Sequence, residues 1–219
     1  MPLQTTRHNE ARSLNLIIDR ALIQPGKHHQ QAVVALVENH DVERLADRIR
    51  RRATYLGRGL RQQAQQILSV RDELVMSLYA SLTPTGWANA WCDGSSIKHD
   101  NRLSAGIGAI IVDTTNRCVA QISRNIGNKS AFEAEIAALV ATLEIARLKH
   151  LECIRVHSDN KALVQLWHER RNDPRMIPIR QIARDLKRLQ IRPIPRRHNQ
   201  VANALAKQAA TVRKHTKLD

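Results

Sequence analysis

Three acids carry most of the chemistry open to this 219-residue chain. Asp93 closes an apolar run, Trp87-Ala88-Asn89-Ala90-Trp91-Cys92, where a buried strand would end against solvent. Alone, Asp93-Gly94 followed by Ser95-Ser96 reads as a turn, because Gly accepts positive φ and Asp bonds its own backbone. Asp159 occupies the matching place two residues after another apolar strand, Cys153–His157. Glu135 stands at the margin of a helical apolar face made by Ile136, Leu139, Val140 and Leu143, whereas Glu133 lies about 200° away around the helix. If the two strands are neighbours, both aspartates emerge at one sheet edge and Glu135 leans over it. Carboxylates gathered there repel one another unless a cation neutralises them. Hard oxygen donors suit Mg²⁺ or Mn²⁺. Two such ions about 3.5–4 Å apart serve in-line displacement at a phosphodiester.

The charge balance suits that substrate. Lys and Arg number 35 against 20 Asp and Glu, a net charge of +15. Such a balance points to nucleic acid first and an anionic membrane surface second. No stretch approaches the roughly 20 apolar residues of a membrane span, and the first residues have no signal-peptide core. Cys92, Cys118 and Cys153 lie far apart in apolar runs and read as buried small hydrophobes in a reducing, cytoplasmic setting. Aromatic residues are only 3% of the chain, which argues against a base-stacking platform.

Thr83-Pro84-Thr85-Gly86 divides the chain into a helical region, 1–86, and a mixed region, 87–219. The first holds 12 basic and 8 acidic residues and the second 23 and 12, so the basicity lies mainly in the second. In the first, helices are expected over 9–23 and 28–39, the latter with Ala32, Val33, Leu36 and Val37 on one face, and a third over 42–82 with Asp41 as its N-cap. Ile49, Ala53, Leu56, Leu60, Gln63, Ile67, Val70 and Leu74 form a heptad seam along that third segment. Gly57 and Gly59 weaken it and admit a helical hairpin. The seam could pack within the chain or pair two chains, as a homodimer or with a protein partner. Arg48, Arg50, Arg51, Arg52, Arg58 and Arg61 are equally consistent with a solvated face and a phosphate-binding arm. In the second region the pattern predicts strands over 87–93, 106–112 and 118–123, a helix over 131–149, a strand over 153–157, and helices over 161–169 and 179–189. A short extended piece over 191–195 and a helix over 200–212 follow. The order is that of an α/β sheet with helices packed on it.

These segments resemble the ribonuclease H family. The resemblance rests on Asp93-Gly94-Ser95 with Gly106 and Gly108, on Ala134-Glu135-Ile136-Ala137-Ala138-Leu139, on His157-Ser158-Asp159-Asn160, and on Arg197-His198-Asn199-Gln200-Val201-Ala202-Asn203-Ala204-Leu205-Ala206. It implies a ribonuclease H-like five-stranded mixed sheet flanked by helices, preceded here by an all-helical region with no counterpart. It also implies two Mg²⁺ ions, or Mn²⁺, and hydrolysis of the RNA strand of RNA–DNA hybrids, leaving a 3′-hydroxyl and a 5′-phosphate. By resemblance, Asp93 would bridge both ions, Glu135 and Asp159 would hold the leaving-group side, and Asn203 would stand where the family has a fourth acid, on the nucleophile side. Gly94, Ser95 and Ser96 would face RNA 2′-hydroxyls, and Arg196, Arg197 and Asn199 would join the nucleic-acid contacts.

The chain departs from the family at several points. Asn203 removes one negative charge. Ala131-Phe132 replaces asparagines that contact the hybrid. His198 is out of register with the family's mobile histidine and reads as a surface or phosphate-contacting residue. Arg170, Arg171, Arg175 and Arg180 would replace a missing basic protrusion. Beside the nuclease reading stands an alternative, a nucleic-acid-binding module with a degenerate site, which Asn203 and Ala131-Phe132 favour. A transposase or integrase nuclease on the same fold fits the blocks around Glu135 and Asn199 less well.

Overall fold

The computed structural model describes residues 14–24, 26–39, 42–99, 102–169 and 173–211, and the chain divides into two compact units, 1–76 and 77–219. Asp41, Arg170, Arg171 and residues 9–13 and 212, named above, lie outside the described residues.

The first unit is helical: α1 (14–23), α2 (Lys27–Asn39), α3 (Val42–Leu56) and most of α4 (Arg61–Ser81). The single long helix expected over 42–82 is broken. Gly57 takes φ 143°, a conformation side-chain-bearing residues rarely adopt, and a 3-10 turn at Arg58–Leu60 follows. The heptad seam therefore folds back on itself. Ile49 and Ala53 of α3 join Ala64 and Ile67 of α4 in one core with Ile18, Leu22 and Val33, while Leu74, at the seam's end, is 48% exposed. In α2 Val33, expected on the apolar face, is buried together with Val34, Ala32 of the same expected face is exposed, and the side chains of Leu36 and Val37 lie outside those described. Arg52 is a structural member of the arginine-rich stretch: it pairs with Asp19 of α1 and lies 4.9 Å over the Tyr55 ring.

The second unit begins at Ser77, before the division drawn at Thr83-Pro84-Thr85-Gly86, and the turn after α4 bonds to its sheet. Arg155 donates to Leu82 O at 2.7 Å and to Thr83 Oγ1 at 3.1 Å. The sheet has five strands in the order β3-β2-β1-β4-β5. They are β1 (Ala88–His99), β2 (Arg102–Val112), β3 (Cys118–Gly127), β4 (Cys153–Ser158) and β5 (Arg188–Pro193). β1, β2 and β3 are an antiparallel meander, and β4 and β5 add in parallel beside β1. Helices α5 (Ala131–Leu148), α6 (Lys161–His168), α7 (Ile177–Ala183) and α8 (Gln200–Thr211) complete the unit. Alternation along β1 sends Ala88, Ala90 and Cys92 into the main apolar core with Ile107, Ile111, Leu139, Leu143, Ile154 and Val156.

Three expectations are corrected here. Asp93 does not end β1, and Gly94-Ser95-Ser96 is not a turn: the strand continues to His99, with Gly94 opposite Ile107 and Ser95 opposite Gly106. The helix expected over 179–189 stops at Ala183, and Arg188–Pro193 becomes β5, because pairing with the edge of β4 outweighs local helix preference. Cys118 is exposed and Cys153 half-buried, so only Cys92 is a buried thiol.

Glycines set how closely the helices lie on the sheet. A Cβ on Gly94 would stand 2.2 Å from Glu135 N, one on Gly106 2.3 Å from Ala210 N, and one on Gly108 2.2 Å from Ala202 O. Each obstacle is helix backbone, which no rotamer change can move aside. Gly108→Ala should therefore cost about 3 kcal/mol, the upper end for overpacking. Urea unfolding of the full chain reads this directly, and a loss under about 1 kcal/mol would show that α8 shifts freely.

Candidate active site

Register places the two aspartates together. The parallel β1–β4 ladder ends at the pair Trp91–His157. Asp93 and Asp159 each follow two residues later, on the same face of their strands, where the ladder has ended and the carboxyls can meet. Glu135 arrives from α5. Ser130 caps that helix and Glu133 returns the bond in a capping box, which occupies Glu133 at the helix start. One turn on, Glu135 Oε2 accepts the Gly94 N–H at 3.2 Å, a contact that needs the close approach at Gly94. The Asn160 side chain lies beside Glu135 and favours its charged form, while its Oδ1 caps α6 through Leu163 N.

Asn199 ties the site to the last helix. Its amide nitrogen donates to Asp159 Oδ1 at 2.6 Å and to Cys92 O at 2.9 Å. Its backbone oxygen accepts from Asn203 N, the first turn of α8. Both Asn199 Oδ1 and Asn203 Oδ1 are buried without a hydrogen-bond partner, a costly condition for an amide oxygen.

The electrostatics follow from this crowding. Burial, then Glu135 and Asp159, push the Asp93 carboxyl up to about 8, against a smaller opposing pull from Arg196. Burial, then Asp159, raises Glu135 to about 7, and bonds from Asn160 and Gly94 oppose the rise. Asp159 lies close enough to Asp93 to add to that carboxyl's rise. Among the described residues no three His, Cys, Asp or Glu side chains stand together as a ready metal cage; Glu135 is turned to the Gly94 N–H and Asp159 to Asn199. The donor set nonetheless fits a hard divalent cation: three carboxyls, two of which, Asp93 and Glu135, have their charge disfavoured for want of a cation, beside two buried amide oxygens with open lone pairs.

The other expected contacts are partly committed elsewhere. The Gly94 N–H serves Glu135, and Ser96 Oγ donates to Lys129 O at 2.8 Å. Arg196 faces the acids; Arg196 and Arg197 are both exposed. Arg175 is bound to Asp173 and lies 4.8 Å over the Phe132 ring. His198 is not a free surface residue, since its Nδ1 is 2.8 Å from Tyr79 Oη. Reading the acids did not find Tyr79, nor the stack of Trp91 on His157, with ring centroids 5.0 Å apart. The one sequence signal was the register of Trp91 and His157, each two residues before an aspartate. Burial and the nearby Arg155 hold His157 down to about 3, so it is neutral.

A profile of reverse transcriptase-like sequences matches residues 92–209. Among solved structures the chain is similar to RNase H1 from the halophilic archaeon Halobacterium salinarum NRC-1, at 27% identity and TM-score 0.52, over 57% of this chain and 97% of that one. It is similar in fold to LC11-RNase H1, isolated from compost by a metagenomic approach, at 24% identity and TM-score 0.51, over 57% and 96%. It also resembles LC11-RNase H1 in complex with RNA/DNA hybrid, at 22% identity and TM-score 0.50, over 56% and 96%. No curated protein matches.

The raised carboxyls predict a pH signature in the metal-free chain. Between about pH 6.5 and 8 the folded state keeps protons on Glu135 and Asp93 that the unfolded state has released near pH 4. Unfolding then sheds protons, so Tm in EDTA should fall as pH rises across that window. His157, depressed when folded, contributes little above about 6.5, its unfolded value. Asp93→Asn should flatten the slope, and a wild-type Tm that climbs from pH 6.5 to 8 would contradict the coupling.

Proposed function

The chain belongs to the ribonuclease H family, and on that premise we propose that it is a metal-dependent endonuclease that hydrolyses the RNA strand of RNA–DNA hybrids. The observation that carries the reading is the convergence of Asp93, Glu135 and Asp159, from three separate elements, on one site where burial and neighbouring carboxyls disfavour the charge of Asp93 and of Glu135. A fold has no structural use for such a site, and a cation relieves it. The similar LC11 enzyme bound to RNA/DNA hybrid supports the choice of ligand class.

In this reading Asp93, Glu135 and Asp159 would hold the divalent ions, Asp93 as the shared ligand and Glu135 and Asp159 serving the leaving group, and Asn203 would offer its unpartnered oxygen to the side of the attacking water. Mg²⁺ or Mn²⁺ so held supplies water activation and charge neutralisation. The chain's own groups do the rest. Asn199 orients Asp159, Asn160 and the Gly94 N–H orient Glu135, and Arg196 adds positive charge beside the acids, where a phosphodiester would lie. With an amide in place of a carboxylate, the Asn203 side holds its ion more weakly. That single substitution favours the second reading, a binding module whose cleavage is lost.

A labelled hybrid, duplex RNA and duplex DNA, each with Mg²⁺ and with Mn²⁺, separate the two. Cleavage of the hybrid, abolished by Asp93→Asn, is expected, with Asn203→Asp lowering the metal concentration required. Tight hybrid binding with no cleavage that responds to Asp93→Asn would establish the binding module instead. Self-association through the helical region would use the exposed leucines Leu74 and Leu78 on α4. Light scattering of the full chain should then give a dimer that Leu74→Lys dissociates, and a monomer at every concentration excludes it.

A further inference from the structure

Tyr79 belongs to the last turn of α4, outside the blocks that carry the acids, yet it touches a neighbour of each of three site residues. Its ring is 6.4 Å from Trp91, edge-on at 77°, 4.8 Å from His157 and 5.6 Å from His198. Trp91 stands two residues before Asp93 on the same strand face, and His157 two residues before Asp159. His198 directly precedes Asn199, whose amide grips Asp159 and Cys92 O. The Tyr79 hydroxyl is the polar end of this cluster and meets His198 Nδ1 at 2.8 Å. The 3-10 turn Arg196–His198 between these groups also carries Arg196, which faces Asp93 and Glu135. Inside the turn, His198 N donates to Pro195 O and Asn199 N to Arg196 O.

We propose that the Tyr79 hydroxyl, through His198, fixes the 196–199 turn from which Asn199 holds Asp159 and Arg196 addresses the acids, making Tyr79 a positioning residue for the cation site. This rests on the reading of that site as metal-holding. The aromatic contacts lock the phenol ring in place, so the hydroxyl has one approach to the turn. Tyr79 lies outside residues 92–209, the segment the family profile matches. The end of an added helix therefore acts as part of the site's support.

Tyr79→Phe keeps the ring and removes only the hydroxyl. Three measurements on the full-length chain test it. In EDTA, Tm should drop by only about 2–4 °C, the worth of one hydrogen bond. Hydrogen exchange of the metal-free protein should quicken at the amides of His198 and Asn199 and stay unchanged in β4. Calorimetric titration with Mn²⁺ should show affinity weakened about fivefold, short of the 10–100-fold expected for a partner that touches a ligand directly. His198→Ala should give the same loss, and the double variant no more than either alone, since both remove one link. Unchanged exchange and unchanged Mn²⁺ affinity in Tyr79→Phe overturn the proposal, as does a general loss of Tm and protection throughout the unit, which marks Tyr79 as packing only. If the exchange and Mn²⁺ effects appear while the wild type cleaves no hybrid, the positioning role stands and the nuclease reading falls.

Discussion

Backbone meets backbone where two helices cross the sheet, and the site depends on that contact. Gly94, Gly106 and Gly108 lack the Cβ that would strike α5 or α8, and the helix faces opposite them are largely alanine, Ala134, Ala202, Ala206, Ala209 and Ala210. Small residues on both sides let each helix axis come nearer than a Leu-on-Val interface would permit. The result is not only stability. Closeness at Gly94 allows a side chain as short as glutamate to accept that glycine's own N–H. Closeness at Gly108, directly opposite Asp93 in the ladder, brings the start of α8, with Asn199 and Asn203, beside the same strand.

Crowding has an electrostatic consequence. Asp93 is 6% exposed and shares its surroundings with two other carboxyls, so protonation is the cheapest relief without a cation. Hydrogen bonds soften the conflict unevenly. Asn199 serves Asp159, and Asn160 with the Gly94 N–H serves Glu135. Asp93, in the middle, has the weakest support and the larger rise. Asn203 changes the charge count rather than the shape of the site. An amide keeps an oxygen there but brings no charge, so three acids alone would balance any cation held at the site.

Local pattern made some features legible and hid others. The helical margin at Glu135 and the apolar run ending near Asp159 are short-range signals, and each element stands where its signal put it. The Asp-Gly-Ser-Ser sequence misled, because turn chemistry and a strand that must let a helix pass both call for glycine. The helix read over 179–189 misled for a related reason: Arg188–Leu189 could join either state, and the free edge of β4 decided it. The heptad seam is apolar apart from Gln63, and with Gly57 breaking it, its Ile49, Ala53 and Ile67 pack within the chain, the first of the two arrangements the spacing allowed. Tyr79 gave no local sign at all, since its partners lie 12, 78 and 119 positions away.

The sequence by itself determined the residue types: the three acids, the amides near the last helix, the glycines of the strands and the apolar runs that must become strands. Those follow from composition and periodicity within a few turns of chain. Only the tertiary structure decided that β1 runs on past Asp93, that the β1–β4 ladder stops two residues before both aspartates, and that the end of α4 closes over Trp91 and His157. Each of these is a choice among long-range partners of similar local preference. Burial against a particular neighbour settles such choices, and no local pattern encodes it.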